Sequence, residues 1–177
     1  EAAERGRLEA FLAEAIEAGL VADAVLATSL AQERRIWAVR DEVPAAYPQA
    51  FTQIVPFDVS IPIARMNAAV GEIRTGLMAA VPDADLLFYG HLGDANLHVV
   101  VGLQSPLAPE AKHAVERIVY DRVRDLGGSV SAEHGIGLSK RPWLGHTRSA
   151  DEIATMRRLK AVLDPSGILN PGRSFAD

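Results

Sequence analysis

Three of the five histidines, His91, His98 and His134, stand in polar, glycine-containing surroundings where imidazoles can do chemistry. His91 and His98 flank a short Gly-Asp-Ala-Asn segment between two apolar stretches, a pattern that predicts a β-hairpin. If residues 93–96 form the loop, His91 lies opposite His98, with Cβ atoms about 4.5–5.5 Å apart on one face. Two imidazoles so placed could bind one metal ion. A cross-strand pair that binds no metal is the alternative.

Glu133 and His134 stand next to each other before a glycine-containing turn. The carboxylate could complete a His-His-Glu site, and three protein ligands leave a coordination position open, as a catalytic metal requires. His134 would then remain as a general base, because an imidazole accepts a proton near pH 7 without a large pKa shift. In the alternative interpretation, Glu133 caps a helix and His134 packs against the protein.

Two basic positions could hold an acidic substrate. Arg40 lies one helical turn from Trp37, and its guanidinium could clamp a carboxylate through two parallel hydrogen bonds. An arginine on a solvated helix face is the more common case. The pair Lys140-Arg141 could act in the same way or solvate a loop.

The elements that must position these residues alternate in the order α β α β α β β α β α. The hairpin makes the sheet at least partly antiparallel, so the sequence predicts an α+β fold with a largely antiparallel sheet covered by helices. The predicted helices cover residues 1–18, 29–44, 62–81, 109–126 and 149–163, and the predicted strands cover 21–27, 51–61, 85–92, 97–102 and 129–132.

Composition limits the class of protein. A chain of 177 residues that is 49% hydrophobic can form one domain with a real core. The absence of cysteine excludes disulfides, thiolate zinc sites and iron–sulfur clusters. The net charge of −5 argues against nucleic acid as a partner. No apolar run reaches a membrane span and no signal peptide is apparent, so we expect a cytoplasmic protein, with peripheral membrane association left open.

Several segments together resemble one family. They include Gly90–His98 (GHLGDANLH), Ser131–Gly137 (SAEHGIG) and the tail Lys160–Gly172 (KAVLDPSGILNPG), with Ile36–Arg40 and Phe57–Pro62 as further matches. In this order they resemble the FAD-linked oxidases that act on D-2-hydroxy acids. That family includes D-lactate and D-2-hydroxyglutarate dehydrogenases and the glycolate oxidase flavoprotein subunit.

The resemblance implies that residues 1–177 are a ferredoxin-like substrate and cap domain of a two-domain flavoenzyme. This chain lacks an initiator Met, and FAD would be held mainly by an N-terminal domain outside it. The isolated chain would then be inactive. A zinc or manganese ion and a small 2-hydroxy acid such as lactate or glycolate would bind to this domain. A homodimer is compatible with this domain organisation. The implied roles are metal ligation by His91, His98 and Glu133, proton abstraction by His134, substrate binding by Arg40 and Asn96, and contact with the flavin by Asn170.

The sequence departs from the family pattern at three positions. Ala95 replaces the usual glycine of the hairpin turn, where a positive φ would strain alanine by about 1 kcal/mol. Pro56 and Pro44 stand where some 2-hydroxyglutarate enzymes have a lysine and a threonine, which makes 2-hydroxyglutarate a less favoured substrate. A metal-dependent hydrolase and a non-catalytic α+β binding module are the two alternatives from other classes.

Overall fold

The computed structural model describes residues 2–173 and 175, and the chain divides into two units, Glu1–Ala46 and Tyr47–Asp177. The first unit contains helix α1 (Ala2–Glu17) and most of helix α2 (Leu30–Ala50). Gly19 follows α1 with a φ of +69°, the left-handed conformation that commonly ends a helix, as the sequence predicts. Glu1, the first residue of the predicted helix, lies outside the described residues.

The prediction of a strand over residues 21–27 is wrong. This segment has no regular structure, and polar side chains bind its backbone instead of a neighbouring strand. Arg5 Nη1 donates to the carbonyl oxygen of Ala27 over 3.0 Å, and Asp23 Oδ1 accepts from the amide of Ala24 over 2.8 Å. Val25 is 75% exposed, and the β-branched, apolar composition of this segment does not lead to strand pairing.

Helix α2 is longer than predicted, because it continues past Pro44 to Ala50. A proline usually ends a helix, since it lacks an amide donor and clashes with the preceding turn. Here the last turn is stabilised within the second unit, where Tyr47 is buried and its ring lies 6.4 Å from that of Phe51.

The second unit is built on a three-stranded antiparallel sheet in the order β1-β3-β2, which confirms the α+β prediction. The predicted strand over 129–132 is reduced to one bridge, Ser60 to Ser129, along the outer edge of β1. With this edge segment the arrangement follows the split βαβ, ferredoxin-like order. The bounds are β1 Gln53–Ser60, α3 Ile63–Ala80, β2 Asp85–His91, β3 Asn96–Leu103 and α4 Pro109–Asp125.

The two faces of the sheet differ in character because side chains alternate along each strand. One face carries Phe57, Val59 and Val99, which are fully buried against α3 and α4. Burying each such side chain contributes about 1.5–3 kcal/mol. The other face carries Asp58, His98 and further polar residues. The core therefore fixes one face of the sheet and leaves the opposite face for a polar site.

The chain after α4 is held by short elements and one long helix. Helix α5 (Gly137–Lys140) runs into a 3₁₀ segment (Arg141–His146), and helix α6 (Ala150–Leu163) follows. Ser149 and Glu152 form a reciprocal capping box at the start of α6. None of the helices in the described ranges is both long and apolar enough to cross a membrane.

Replacing Ala95 with glycine is expected to stabilise the chain by about 0.5–1 kcal/mol. Ala95 adopts φ 64° and ψ 19°, so the turn does require the left-handed conformation that disfavours alanine. Urea unfolding of the variant measures the change. Ala68→Gly, in an exposed turn of α3, is the control and should lose about 0.5–1 kcal/mol instead. A loss of stability in Ala95→Gly would contradict the assignment of strain.

Candidate functional site

The hairpin histidines share a face, as predicted, but the prediction that they lie directly opposite each other is wrong. Tyr89 lies opposite His98, and His91 lies opposite Asn96, because the four-residue loop, the 3₁₀ segment Leu92–Asp94 with Ala95, begins one residue earlier than predicted. The register therefore differs from the prediction by two residues. A shift of two keeps every side chain on its original face. The rings of His91 and His98 remain close, with centroids 5.7 Å apart.

Glu133 joins this pair of histidines from the segment that follows the edge of β1. Its Oε1 lies 3.7 Å from Nε2 of His91. One ligand atom from each of His91, His98 and Glu133 lies within 4.8 Å of the others. Two imidazole nitrogens and a carboxylate oxygen are donors that suit zinc or manganese. The predicted ligand set is thus brought together, and it fits a divalent metal.

A second group of donors, Asp58, Glu133 and His134, is equally close-set, with its atoms within 4.8 Å of one another. This group is less suited to a cation. Asp58 Oδ2 already accepts hydrogen bonds from two backbone amides, and the ammonium group of Lys140 lies 3.1 Å from it. The positive charge of Lys140 would oppose a metal ion at this position, so the hairpin histidines define the better site.

His98 is the buried ligand of the site, with only 8% of its surface exposed. Burial lowers its pKa, and the attraction of Asp58 and Glu133 for the protonated ring does not overcome this effect. The neighbouring histidines, His91 and His134, lower the pKa further. The ring is therefore held in the neutral form, which is the form that binds a metal.

Asp58 lies at the centre of the site, although sequence reasoning did not select it. Its side chain is 2% exposed, and Oδ2 accepts from the amides of Glu133 (3.0 Å) and His134 (2.9 Å). Burial opposes ionisation of the carboxyl group, but these two amides and the Lys140 ammonium outweigh it and lower the pKa of Asp58 to about 2. Asp58 is therefore ionised at neutral pH.

Lys140 is the partner of Asp58 and is itself 7% exposed. Its Nζ donates to the carbonyl oxygen of Asp58 (2.9 Å), to Asp58 Oδ2 (3.1 Å) and to Ser131 Oγ (3.0 Å). All three ammonium protons thus have acceptors. Both predictions for Lys140, a clamp for substrate and a solvated loop residue, are wrong. An aspartate inside the apolar β1 pattern was the signal for this buried pair.

His134 extends into solvent next to the metal-ligand cluster. Its side chain is 67% exposed, its Nδ1 lies 3.6 Å from Asp58 Oδ2, and its ring stacks near that of His98 with centroids 6.0 Å apart. The alternative, in which Glu133 caps a helix and His134 packs, is wrong. Helix α5 begins at Gly137 with Ile136 as its N-cap and has no side-chain cap. His134 is therefore free to reach a bound small molecule.

Asn96 lies on the site face at the start of β3 and is 2% exposed. Neither its side-chain oxygen nor its side-chain nitrogen has a hydrogen-bond partner among the described residues. Burying an unpaired amide group is costly, so such a group commonly marks a position that a further partner completes. Substrate binding by Asn96 stays a prediction that this orphaned amide supports.

Asn170, the remaining predicted residue of the second unit, is not part of this cluster, and Arg40 belongs to the first unit. Arg40 lies on α2 in the first unit, where its Nη1 is 3.1 Å from Asp41 Oδ1. Asn170 has a φ of +48° and lies in a cleft of about 540 Å³ that follows α6 and includes Lys160 and Arg173. Their contacts with substrate and flavin stay predictions.

The fold and the site together define a class of protein. It is an α+β domain whose polar sheet face presents two histidines and a glutamate as metal ligands, with an exposed third histidine beside them. The sequence comparison specifies the family. The model for the FAD linked oxidases, C-terminal domain, matches residues 1–174. The chain therefore belongs to this family.

Several curated relatives are D-2-hydroxyglutarate dehydrogenases. The chain is 39% identical to the one from Xanthomonas citri pv. viticola over 99% of its length, and 34% identical to that from Stutzerimonas stutzeri over 91%. It is 36% identical to the mitochondrial protein of Bos taurus over 93% of its length. The chain covers 37%, 35% and 30% of these relatives, respectively, so it spans about a third of their length.

Proposed function

We propose that this chain is the substrate- and metal-binding domain of an FAD-dependent enzyme that oxidises a D-2-hydroxy acid to the 2-oxo acid. The observation that carries the proposal is the close grouping of the donor atoms of His91, His98 and Glu133, with His134 beside them. Family membership supplies the redox partner, because an FAD linked oxidase transfers electrons to its flavin. Both the metal and the flavin are part of the proposal.

His91, His98 and Glu133 would hold the divalent metal, zinc or manganese. Bound there, the ion would supply Lewis-acid chemistry, which lowers the pKa of a coordinated hydroxyl group. FAD, which we place in another part of the protein, would supply the hydride acceptor. Arg40 would bind the substrate carboxylate, and Asn96 would orient the substrate through its unpaired amide group.

His134 would accept the proton of the substrate hydroxyl. The Asp58 carboxylate lies 3.6 Å from Nδ1 of His134, and its negative charge favours a proton on that nitrogen. Nε2 then keeps its lone pair and is the atom that accepts the proton. The 67% exposure of the side chain lets the ring turn towards a bound substrate. This role makes His134 the general base of the reaction.

The substrate we place first is D-2-hydroxyglutarate. It is the hydroxy acid in the names of the curated relatives, whereas lactate and glycolate are supported only by the resemblance of the motifs. Pro56 lies exposed on the polar face of β1, where it offers no charge to a second carboxylate. If 2-hydroxyglutarate is the substrate, its second carboxylate must therefore be bound by other residues than Pro56 and Pro44.

Replacing His91 with alanine is expected to weaken zinc binding by the chain at least 100-fold, because one of three protein ligands is lost. Isothermal titration calorimetry with Zn²⁺ measures the affinity. His113→Gln is the matched control, since His113 is an exposed histidine that stacks on Trp143 outside the site. Equal affinities for the wild-type chain and His91→Ala would refute the metal assignment.

A further inference from the structure

We propose that Asp58 is the positioning residue of this site, whose carboxylate fixes the backbone of residues 131–135 so that Glu133 and His134 face the hairpin histidines. The inference rests on the proposed function, because the residues it positions are the metal ligand and the general base described above. Asp58 itself touches neither metal nor substrate in this proposal. It acts through the residues that do.

The sheet places the Asp58 side chain on the face of the hairpin site. Asp58 lies on β1 directly opposite His98 of β3, so the strand register sets its position relative to that ring. Its neighbours Phe57 and Val59 are buried in the core on the opposite face, with 2% and 0% exposure. The carboxylate therefore projects from one of the most firmly held parts of the fold.

Glu133 and His134, by contrast, lie in a segment without regular secondary structure. Their successive amides both donate to Asp58 Oδ2, over 3.0 Å and 2.9 Å. Two neighbouring amides that converge on one anion form a favourable electrostatic cradle. Hydrogen bonds to one side chain thus take the place of strand pairing and set the direction in which both side chains leave the backbone.

Lys140 and Ser131 complete this restraint. Lys140 Nζ binds both Asp58 and Ser131 Oγ, and Ser131 Oγ donates to the carbonyl oxygen of Gly135 over 2.8 Å. The Ser131 hydroxyl therefore joins the two ends of the loop, and Lys140 links that hydroxyl to the Asp58 carboxylate. Lys140 also balances the charge of Asp58, so the negative charge left at the metal site is that of Glu133.

Asp58 also acts on the buried ligand of the hairpin. Its Oδ1 lies 3.9 Å from Nδ1 of His98, too far for a hydrogen bond but close enough for electrostatic attraction. The carboxylate therefore favours the tautomer with the proton on Nδ1, which leaves the lone pair of Nε2 for a metal. One buried carboxylate thus influences His98, Glu133 and His134 together.

The test is a Zn²⁺ titration of the whole chain by calorimetry. Its variants distinguish the positioning of Glu133 and His134 by Asp58 from the effect of the negative charge of Asp58 on the metal. We expect Asp58→Asn to weaken zinc binding by 10- to 100-fold, the range seen when residues that orient metal ligands are lost. The double variant Asp58→Leu with Lys140→Met removes both charges and should remain weak, because the amides of Glu133 and His134 then have no side-chain acceptor.

Asp164→Asn is a closely matched control. Asp164 is also buried, accepts from two successive amides, those of Ile168 (3.0 Å) and Leu169 (2.9 Å), and pairs with Lys160. It makes no contact with the metal-ligand cluster among the described residues. Its loss should disturb the fold in a similar way but leave the zinc affinity within twofold of that of the wild-type chain.

Unchanged zinc affinity in Asp58→Asn, or wild-type affinity in the double variant, would overturn the positioning role and leave the proposed function intact. A wild-type chain that binds no zinc would refute the proposed metal site, and this inference with it. Amide hydrogen exchange of the wild-type chain, followed by NMR, provides a readout that needs no variant. Slow exchange at Glu133 and His134 supports the proposal, and exchange at unstructured-peptide rates contradicts it.

Discussion

Replacing His134 with alanine in the FAD-loaded enzyme is expected to lower turnover of D-2-hydroxyglutarate by about 10²- to 10⁴-fold, the usual contribution of a general base. The metal content should stay close to that of the wild-type enzyme, because the three ligands His91, His98 and Glu133 remain. His134 is largely exposed, so its loss should also leave the free energy of unfolding nearly unchanged. Stopped-flow reduction of the flavin and metal analysis of the same samples measure both quantities.

The control for this experiment is His146→Ala, because His146 pairs with Asp121 away from the site and should not affect turnover. D-lactate and glycolate, assayed with the same wild-type enzyme, test which hydroxy acid is used. Unchanged turnover in His134→Ala would exclude the residue as the base. A parallel loss of metal and turnover would instead make it a ligand.

Replacing Asp58 with asparagine is expected to lower the free energy of unfolding by about 2.5 kcal/mol at pH 7. The pKa of Asp58 falls from its usual 3.8 to about 2 in the folded chain, and each unit of this shift corresponds to about 1.4 kcal/mol. The folded state binds this proton less tightly than the unfolded state. The stabilisation is therefore complete above about pH 4 and is lost as the pH falls towards 2.

Urea unfolding of the wild-type chain and Asp58→Asn at pH 7, 4 and 2.5 measures this difference. The two chains should converge at low pH, because a protonated Asp58 leaves Lys140 without its anionic partner, as asparagine does. Other carboxyl groups titrate equally in both chains and cancel in the comparison. If the difference in the free energy of unfolding stays constant from pH 7 to pH 2.5, ionisation of Asp58 is not the source of the stabilisation.

The hairpin could be predicted from the sequence because its information is local. The alternation of apolar and polar residues around a short Gly-Asp-Ala-Asn segment marks two strands and a turn. The register was wrong by two residues, since the loop begins one residue earlier than predicted, and its position depends on backbone angles that composition does not determine. Because the register differs by an even number of residues, His91 and His98 still lie on the same face of the sheet. The metal hypothesis therefore does not depend on the exact register.

Asp58 and Lys140 could not be paired from the sequence alone. They are separated by 82 residues, and nothing local in either segment indicates the other. A charged residue between Phe57 and Val59 is a sign of a buried, partnered carboxylate, because an unpaired one would be too costly there. The partner, however, depends on how α5 packs against β1. The strand predicted over 21–27 failed for a related reason, since a strand forms only where another strand can pair with it.

The anchoring of Glu133 to Asp58 also bears on how the site is assembled during folding. His91 and His98 come together in a hairpin, which closes a short loop and can form quickly. Asp58 and Glu133 are 75 residues apart, so their contact requires closure of a much longer loop at a higher entropic cost. The two halves of the site thus differ in contact order. The geometry needed for chemistry arises only after the chain has returned to the edge of β1.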